Sequence, residues 1–387
     1  MYHQCGLMTV PMNKSLCTSA ANETILTQVY VNAFEMAIEL YVISLLCVIG
    51  LLGNIVAYVV LHKDRERREA LYLLQTLALA DAFYLIIAML RYPLKYMISE
   101  EAYFSMQLII FPLLKTAQAV TIWMLLLVTM DRYIYVCMPL RAQDIFNSRT
   151  RRVMSVLVFV IGLLYNIPRF FDSCVWTFHD LCSGARYSRM VYTQPFNNTY
   201  YFDIYKYASY LLLLYIGPLS ILVILNTKLI LAIRRSRRRH RHFETCQVAH
   251  HMHQSEANAS IVLIIIVIVF IVCETPELVL KILIVLRRHM KSLEMMFSRD
   301  FIHTFTTTSE LLMVLNSSVN FLIYCAFGRR FRHVMKQTFK KSFTHTTVLT
   351  HESLPVQQQQ MNMNMNHANH FIANQPNSLR HLLHIKS

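Results

Sequence analysis

Acidic and basic side chains interrupt several of the long apolar runs in this sequence. Glu274, Glu277 and Lys281 recur at intervals of three and four residues, so they share one face of a helix. Lipid would not tolerate three charges on one face, so we expect this face to point into a helix bundle. Its carboxylates can accept a cationic group from a bound molecule through charge-assisted hydrogen bonds, or they can neutralise basic residues of neighbouring helices.

Further charged residues fall at comparable positions in other runs. Glu310 enters the last run, while Arg91 and Lys115 approach from the second and third. We expect Glu277 or Glu310 to accept a cationic group, and mutual neutralisation of these charges remains the alternative. The set of expected ligand contacts is Arg91, Lys115, Gln118, Glu274, Glu277, Lys281 and Glu310.

Asp81 lies in the middle of an apolar run and brings a carboxylate deep into it. Asn54 lies in the first run, and the last run carries Asn316, Ser317 and Asn320 about one helical turn apart. Carboxylate, amide and hydroxyl oxygens suit a small hard cation such as Na⁺. The same groups can instead form a hydrogen-bond cluster that holds the helices together.

A charged triplet, Asp131-Arg132-Tyr133, ends the third run, and Glu256 precedes the sixth. An ion pair between Arg132 and Glu256 would clamp two helix ends together, although two independently solvated charges explain the spacing equally well. Apart from Na⁺ at Asp81, no metal site is expected. The His-rich stretch 240–253 lacks the ligand spacing of a closed tetrahedral site.

The elements that must position these residues are seven apolar runs. The 387-residue chain is 55% hydrophobic and only 15% charged, which makes a soluble enzyme a poor interpretation. A membrane-spanning helix needs about 20 mainly apolar residues. Such runs lie at 40–61, 71–90, 108–136, 153–168, 207–227, 257–286 and 301–328. The sequence therefore predicts an all-α membrane protein with a seven-helix bundle.

The distribution of Lys and Arg predicts the orientation of this bundle. Basic residues concentrate after the first, third, fifth and seventh runs, which indicates that these ends are cytosolic and that the N-terminus lies outside the plasma membrane. The same basic residues favour contact with lipid headgroups over nucleic acid. Outer segments then carry the glycosylation candidates Asn13, Asn22 and Asn197 and the disulfide candidates Cys5, Cys17, Cys174 and Cys182, whose connectivity stays open.

Six motifs occur in order, each in its own run: Gly53-Asn54, Leu77-Ala78-Leu79-Ala80-Asp81, Asp131-Arg132-Tyr133, Pro218, Cys273-x-x-Pro276 and Asn320-x-x-x-Tyr324. With them, residues 39–343 resemble a rhodopsin-like (class A) G-protein-coupled receptor. The stretches 273–277 and 316–324 further resemble invertebrate neuropeptide receptors of the FMRFamide/myosuppressin type. The sequence departs from the family at Glu274, where Trp is usual, at Phe321, where Pro is usual, and at Gln107, where the family has the Cys of its loop disulfide.

The resemblance implies a receptor rather than an enzyme. Its ligand would be an extracellular amidated peptide, whose Arg-Phe-NH₂ end has a guanidinium and no terminal carboxylate. Its cytosolic partners would be a heterotrimeric G protein, arrestin and receptor kinases. The implied coupling and clamp residues are Asp131, Arg132, Tyr133 and Glu256, and the implied Na⁺ and activation network is Asn54, Asp81, Thr121, Asn316, Ser317, Asn320 and Tyr324.

Two other function classes compete with this interpretation. A chemosensory receptor for a small molecule has the same architecture, and the long segment 169–206 favours a peptide only weakly. A membrane transporter would usually show internal repeats, which this sequence does not show. We expect four regions: an extracellular segment at 1–37, the bundle at 38–328, an amphipathic helix at the inner membrane face at 329–343, and a disordered cytosolic tail at 344–387.

Overall fold

A computed structural model describes residues 8–9, 33–64, 68–179, 186–193, 196–240, 247–290 and 299–340. Seven helices among these residues are long and apolar enough to cross a membrane, which confirms the predicted architecture. They are α1 (Ala33–Lys63), α2 (Leu71–Met97), α3 (Glu100–Cys137), α4 (Ser148–Phe170), α5 (Tyr201–Arg235), α6 (Ile261–Arg287) and α7 (Asp300–Phe327).

Several of these helices extend further or change their winding near one end. The helical backbone of α5 continues to His240, and that of α6 runs from Gln247 to His289. Residues Ala37–Ile43 of α1 and both Tyr201–Ser209 and Leu211–Ile216 of α5 are wound as π-helix. The last turn of α4, Ile167–Phe170, is a 3₁₀ turn. This irregular winding lies at one end of the bundle, where the aromatic and charged residues described below collect.

A short three-stranded sheet lies at that end. The strands β1 (Met8–Thr9), β2 (Ser173–His179) and β3 (Arg186–Tyr192) lie in this order, with β1 parallel and β3 antiparallel to β2. The β2–β3 hairpin connects α4 to α5 and packs on α3. We call this end of the bundle the hairpin end. The opposite end, where α1, α3, α5 and α7 finish, is called the basic end after its Lys and Arg residues.

Helix α3 is the most buried span and packs against α2, α4, α5 and α6, while α7 packs between α1 and α6. Close approach of α1 to α7 depends on small residues. A Cβ at Gly50 would lie 2.8 Å from Cα of Ser318, and one at Gly53 would lie 3.0 Å from Cβ of Phe321. Phe321, where the family has Pro, therefore packs on a glycine, and α7 stays helical through Phe327.

Gly328 ends α7, and helical backbone resumes at 329 and continues to 340. A Cβ at Gly328 would lie 2.6 Å from the carbonyl oxygen of Tyr324, so only glycine fits this turn without a shift. The predicted amphipathic segment 329–343 includes this helix, and its residues 341–343 lie outside the described residues; its position at the inner membrane face stays a prediction. The predicted tail 344–387 and most of the 1–37 segment also lie outside them.

Candidate functional site

Glu277 of α6 lies between two lysines at the hairpin end. Its Oε1 is 3.1 Å from Nζ of Lys281, one turn further along α6, and 3.7 Å from Nζ of Lys115 on α3. The Glu277 side chain is 3% exposed and that of Lys115 is 9% exposed. A buried carboxylate with two ammonium groups at these distances links α3 to α6 and is stabilised as a charged group.

Glu310 of α7 has a basic partner from α2. Nη2 of Arg91 donates to Oε1 of Glu310 at 3.4 Å, and Cζ of Arg91 lies 5.1 Å from the ring centre of Phe111. The neutralising network that the sequence left open is thus present for both Glu277 and Glu310. Each carboxylate therefore has a basic neighbour, and whether either of them also accepts a cationic ligand stays a prediction.

Gln118 joins these charges to the aromatic interior. Its Oε1 accepts from Nζ of Lys115 at 3.0 Å and from the hydroxyl of Tyr210 at 3.1 Å. Its Nε2 contacts the hydroxyl of Tyr215 at 3.1 Å and Sδ of Met313 at 2.8 Å. One amide of α3 therefore reaches α5 and α7. Sequence reasoning missed both tyrosines, because aromatic residues in an apolar run carry no distinguishing pattern.

Glu274 differs from the other two carboxylates. It is 2% exposed, and its Oε2 is buried without a hydrogen-bond partner among the residues that the structure describes. Its helix face also carries Glu277, which approaches Lys115. A buried, unsatisfied carboxylate oxygen is costly, and binding of a cationic donor would remove that cost.

A second charged cluster at the hairpin end joins α1, α2 and α7, and the sequence did not predict it. Oε2 of Glu39 lies 2.8 Å from Nζ of Lys95 and accepts from the hydroxyl of Tyr96 at 2.8 Å. Nδ1 of His303 lies 3.8 Å from Oε1 of Glu35. These groups lie near helix ends, where isolated charges usually indicate solvated positions, and only the fold brings them together.

Asp81 lies in a buried polar cluster between α1, α2 and α7. Nδ2 of Asn320 donates to Oδ2 of Asp81 at 2.7 Å, and Nδ2 of Asn54 donates to the carbonyl oxygen of Ser317 at 2.8 Å. Oδ1 of Asn54 is buried without a hydrogen-bond partner in the described part of the chain. A buried carboxylate and an unsatisfied buried amide oxygen are both ligands that suit a hard cation, and water would suit the same oxygens.

The other predicted members of the Asp81 network have different surroundings. The Thr121 hydroxyl donates to carbonyl oxygens of its own helix, at 3.1 Å to Ala117 and 2.9 Å to Gln118. Asn316 is half-buried. Tyr324 is 4% exposed, with its ring centre 5.3 Å from that of Phe331. Within the described residues, no group of three or more His, Cys, Asp or Glu side chains is arranged to hold a metal ion.

At the basic end, Asp131 pairs with a residue that the sequence did not single out. Nε of Arg151, on α4, donates to Oδ1 of Asp131 at 2.9 Å, and the two side chains are 12% and 4% exposed. Arg132 is buried, and Nζ of Lys228 lies 6.0 Å from the ring centre of Tyr133. The side chain of Glu256 lies outside the described residues, so the clamp between Arg132 and Glu256 stays a prediction.

The predicted outer modification sites are described only in part. Cys174 in β2 is disulfide-bonded, while Cys5, Cys17 and Cys182 lie outside the described residues. Asn197 is exposed in the segment before α5, and Asn13 and Asn22 lie outside the described residues. Gln107, at the family's Cys position, is 4% exposed on α3.

Comparison with known proteins identifies the family. Residues 53–324 match the model of the 7 transmembrane receptor (rhodopsin family). The FMRFamide receptor of Drosophila melanogaster is 27% identical over 354 residues, which cover 88% of this chain and 60% of that receptor. The FMRFamide peptide receptor frpr-18 of Caenorhabditis elegans is 25% identical, over 76% of this chain and 67% of that receptor. The family match covers more than half of the chain, from the second half of α1 to near the end of α7, and the chain therefore belongs to the rhodopsin family of seven-transmembrane receptors.

Proposed function

We propose that this protein is a G-protein-coupled receptor for an amidated neuropeptide of the FMRFamide type. The family match and the two relatives whose names include FMRFamide support this function. The observation that carries the ligand chemistry is Glu274, a buried carboxylate with an unsatisfied oxygen beneath the hairpin end. No comparable observation favours a small-molecule chemosensor or a transporter.

In this proposal Glu274 accepts the guanidinium of the peptide. Lysines already lie beside Glu277, and Arg91 lies beside Glu310, so a basic side chain of the protein already neutralises the charge of each of these carboxylates. At Glu274 the guanidinium adds a donor to an oxygen for which the described residues supply none. A guanidinium suits this task because its planar fork can donate two parallel hydrogen bonds to one carboxylate. An amidated C-terminus adds no negative charge beside Glu277 and Glu274.

The test compares paired peptides on cells that express the full chain. Phe-Met-Arg-Phe-NH₂ should evoke a calcium or cAMP response, and its citrulline analogue, which has no charge at that position, should be at least tenfold weaker. Breaking a buried interfacial charge pair costs about 2–5 kcal/mol, which is more than tenfold in affinity. Glu274→Gln should lower the potency of the Arg peptide to a similar degree and remove the difference between the two peptides.

Glu100→Gln is the matched control, because Glu100 is an exposed carboxylate at the start of α3. It should leave both potencies unchanged at equal surface expression. A normal response of Glu274→Gln to the Arg peptide would refute the role of Glu274. If the cells respond to no amidated peptide but do respond to a small molecule, the chemosensory alternative replaces the neuropeptide receptor.

The signalling mechanism that we propose is a shift between two conformations. The hairpin end faces outward in the plasma membrane, and the basic end faces the cytosol beside lipid headgroups. The peptide stabilises the conformation in which it binds more tightly, and it shifts the equilibrium only by that difference in affinity. In the active conformation the ends of α5 and α6 move outward, and a G protein binds near Arg132 and Tyr133. Receptor kinases and arrestin then act on the hydroxyl-rich tail after 343.

Two further roles complete the proposal. Asp81, with Asn54, Ser317 and Asn320, would hold Na⁺ and stabilise the inactive conformation. The buried Oδ1 of Asn54 and the carboxylate of Asp81 supply the oxygen ligands that such an ion prefers. On the outer side, Cys174 would join the hairpin to Cys5, Cys17 or Cys182, and Asn13, Asn22 and Asn197 would carry glycans.

A further inference from the structure

Arg169, in the last turn of α4, is a buried guanidinium. The residue is 7% exposed, and its Nε and Nη2 atoms are both buried without a hydrogen-bond partner in the described structure. Its Cζ lies 5.0 Å from the ring centre of Tyr210 and 5.5 Å from that of Tyr205. The guanidinium therefore packs on two tyrosine rings of α5, and its side chain also has hydrogen-bonding contact with Tyr165 and Tyr205, which leaves Nε and Nη2 unpartnered.

The acidic side chain nearest to Arg169 in sequence is already engaged. Oδ2 of Asp172 lies 2.8 Å from Nζ of Lys206 and accepts from the hydroxyl of Tyr201 at 2.9 Å. Its Oδ1 accepts from the hydroxyl of Ser173 at 2.6 Å. Among the described residues, Arg169 has no carboxylate within ion-pair distance. Cation–π contacts stabilise a guanidinium by less than the cost of burying an unpaired charge.

Arg169 lies close to the site proposed for the peptide. The ring of Tyr210, which Arg169 overlies, also has Nζ of Lys115 at 5.8 Å from its centre, and its hydroxyl donates to Gln118. Because Cζ of Arg169 and Nζ of Lys115 lie 5.0 Å and 5.8 Å from the same ring centre, these two cationic groups are at most about 11 Å apart. Lys115 shares the carboxylate of Glu277 with Lys281, so this side of the interior carries an excess of positive charge.

We propose that Arg169 binds a carboxylate of the peptide ligand, supplied by an Asp or Glu side chain. This inference rests on the proposed function and extends it, because it assigns the peptide a second charged contact. An amidated peptide has no terminal carboxylate, so the acid must be a side chain. A carboxylate can accept two parallel hydrogen bonds from a guanidinium, which would satisfy the two unpartnered nitrogens together. The peptide would then contact Glu274 through its guanidinium and Arg169 through its side-chain carboxylate.

The experiment compares peptides that differ only in this charge. The probes are Phe-Met-Arg-Phe-NH₂ with N-terminal extensions of one to three residues, in which a single Asp or a single Asn is moved through the added positions. On the native receptor one Asp peptide should be at least tenfold more potent than its Asn counterpart. Arg169→Gln should abolish that preference and leave the potency of the Asn peptide within about threefold. Arg169→Lys, which keeps the charge but not the fork, should retain part of the preference.

Three outcomes would overturn the proposal, and each has a different meaning. Equal potency of every Asp and Asn pair on the native receptor would refute it without any variant, so the test does not depend on correct folding of Arg169→Gln. An equal loss of potency for both peptides in Arg169→Gln, at matched surface expression, would show that Arg169 only supports the fold. If no amidated peptide activates the native receptor, the proposed function fails together with this inference.

Discussion

Replacement of Glu277 by Gln is expected to destabilise the receptor more than replacement of either lysine beside it. The carboxylate is 3% exposed and lies 3.1 Å from Nζ of Lys281 and 3.7 Å from Nζ of Lys115. Glu277→Gln would leave the ammonium of Lys115, itself 9% exposed, buried without its counter-ion. Lys115→Gln, in contrast, leaves Glu277 paired with Lys281. The two substitutions therefore differ in whether an uncompensated buried charge remains.

The expected magnitudes follow from that difference. Removing one partner so that the other charge stays buried and unpaired costs about 3–5 kcal/mol. Removing Lys115 costs about 1 kcal/mol, the usual net value of one hydrogen bond. A chain of this length shifts by about 1.5 °C per kcal/mol, so Glu277→Gln should lower the midpoint of thermal unfolding by roughly 4 °C or more. The double variant Glu277→Gln with Lys115→Gln should recover at least half of that loss, because it no longer buries an unpaired ammonium.

The assay is thermal unfolding of the purified receptor in detergent, with surface expression in cells as a second readout. Glu100→Gln is the control for loss of an exposed carboxylate, and its midpoint should stay within about 1 °C of the native value. The reasoning would be refuted if Lys115→Gln were as destabilising as Glu277→Gln. It would equally be refuted if the double variant were less stable than Glu277→Gln alone.

Three further predictions concern the Asp81 cluster and the basic end. Na⁺ should lower agonist affinity in the native receptor but not in Asp81→Asn. If the native binding curves are the same with and without Na⁺, Asp81 does not bind Na⁺ and only forms hydrogen bonds. Glu256→Gln should raise ligand-independent signalling at matched surface expression, and an unchanged basal signal would exclude a clamp with Arg132. Arg151→Gln should lower the thermal midpoint by roughly 4 °C or more by leaving Asp131 without the basic partner that Arg151 supplies. The variant that also carries Asp131→Asn should be more stable than Arg151→Gln alone.

The seven spans could be predicted from the sequence because crossing a membrane imposes a local requirement. Each span must present about 20 mainly apolar residues, and this requirement can be tested one window at a time. Helical spacing is also local, so the intervals between Glu274, Glu277 and Lys281 were enough to assign them to one face. The structure confirms that both glutamates are buried. Family motifs then added what local physics does not determine, namely the class of receptor.

The pairing of the charges could not be predicted in the same way. Arg91 and Glu310 are 219 residues apart, and from the sequence we expected Glu277 or Glu310 to bind a ligand, with pairing to basic residues as the alternative. Which alternative holds depends on how each helix is rotated about its axis and how deep it lies in the bundle. This rotation and this depth are set by packing over whole helix faces, including the close approach of α1 to α7 at Gly50 and Gly53.

The same reason explains which functional candidates the sequence missed. Arg151 resembled one more basic residue at a helix end, and Arg169 followed the fourth apolar run without any pattern that marked it. Their chemistry comes from residues that other helices bring to them: Asp131 from α3 beside Arg151, and two tyrosines of α5 beside Arg169. The sequence alone determined that charged side chains would be enclosed in this bundle, because charged residues within apolar spans have no water around them at membrane depth and must face other helices. Only the tertiary structure decided which of these charges have a partner of opposite charge in another helix, because that depends on distances between different helices.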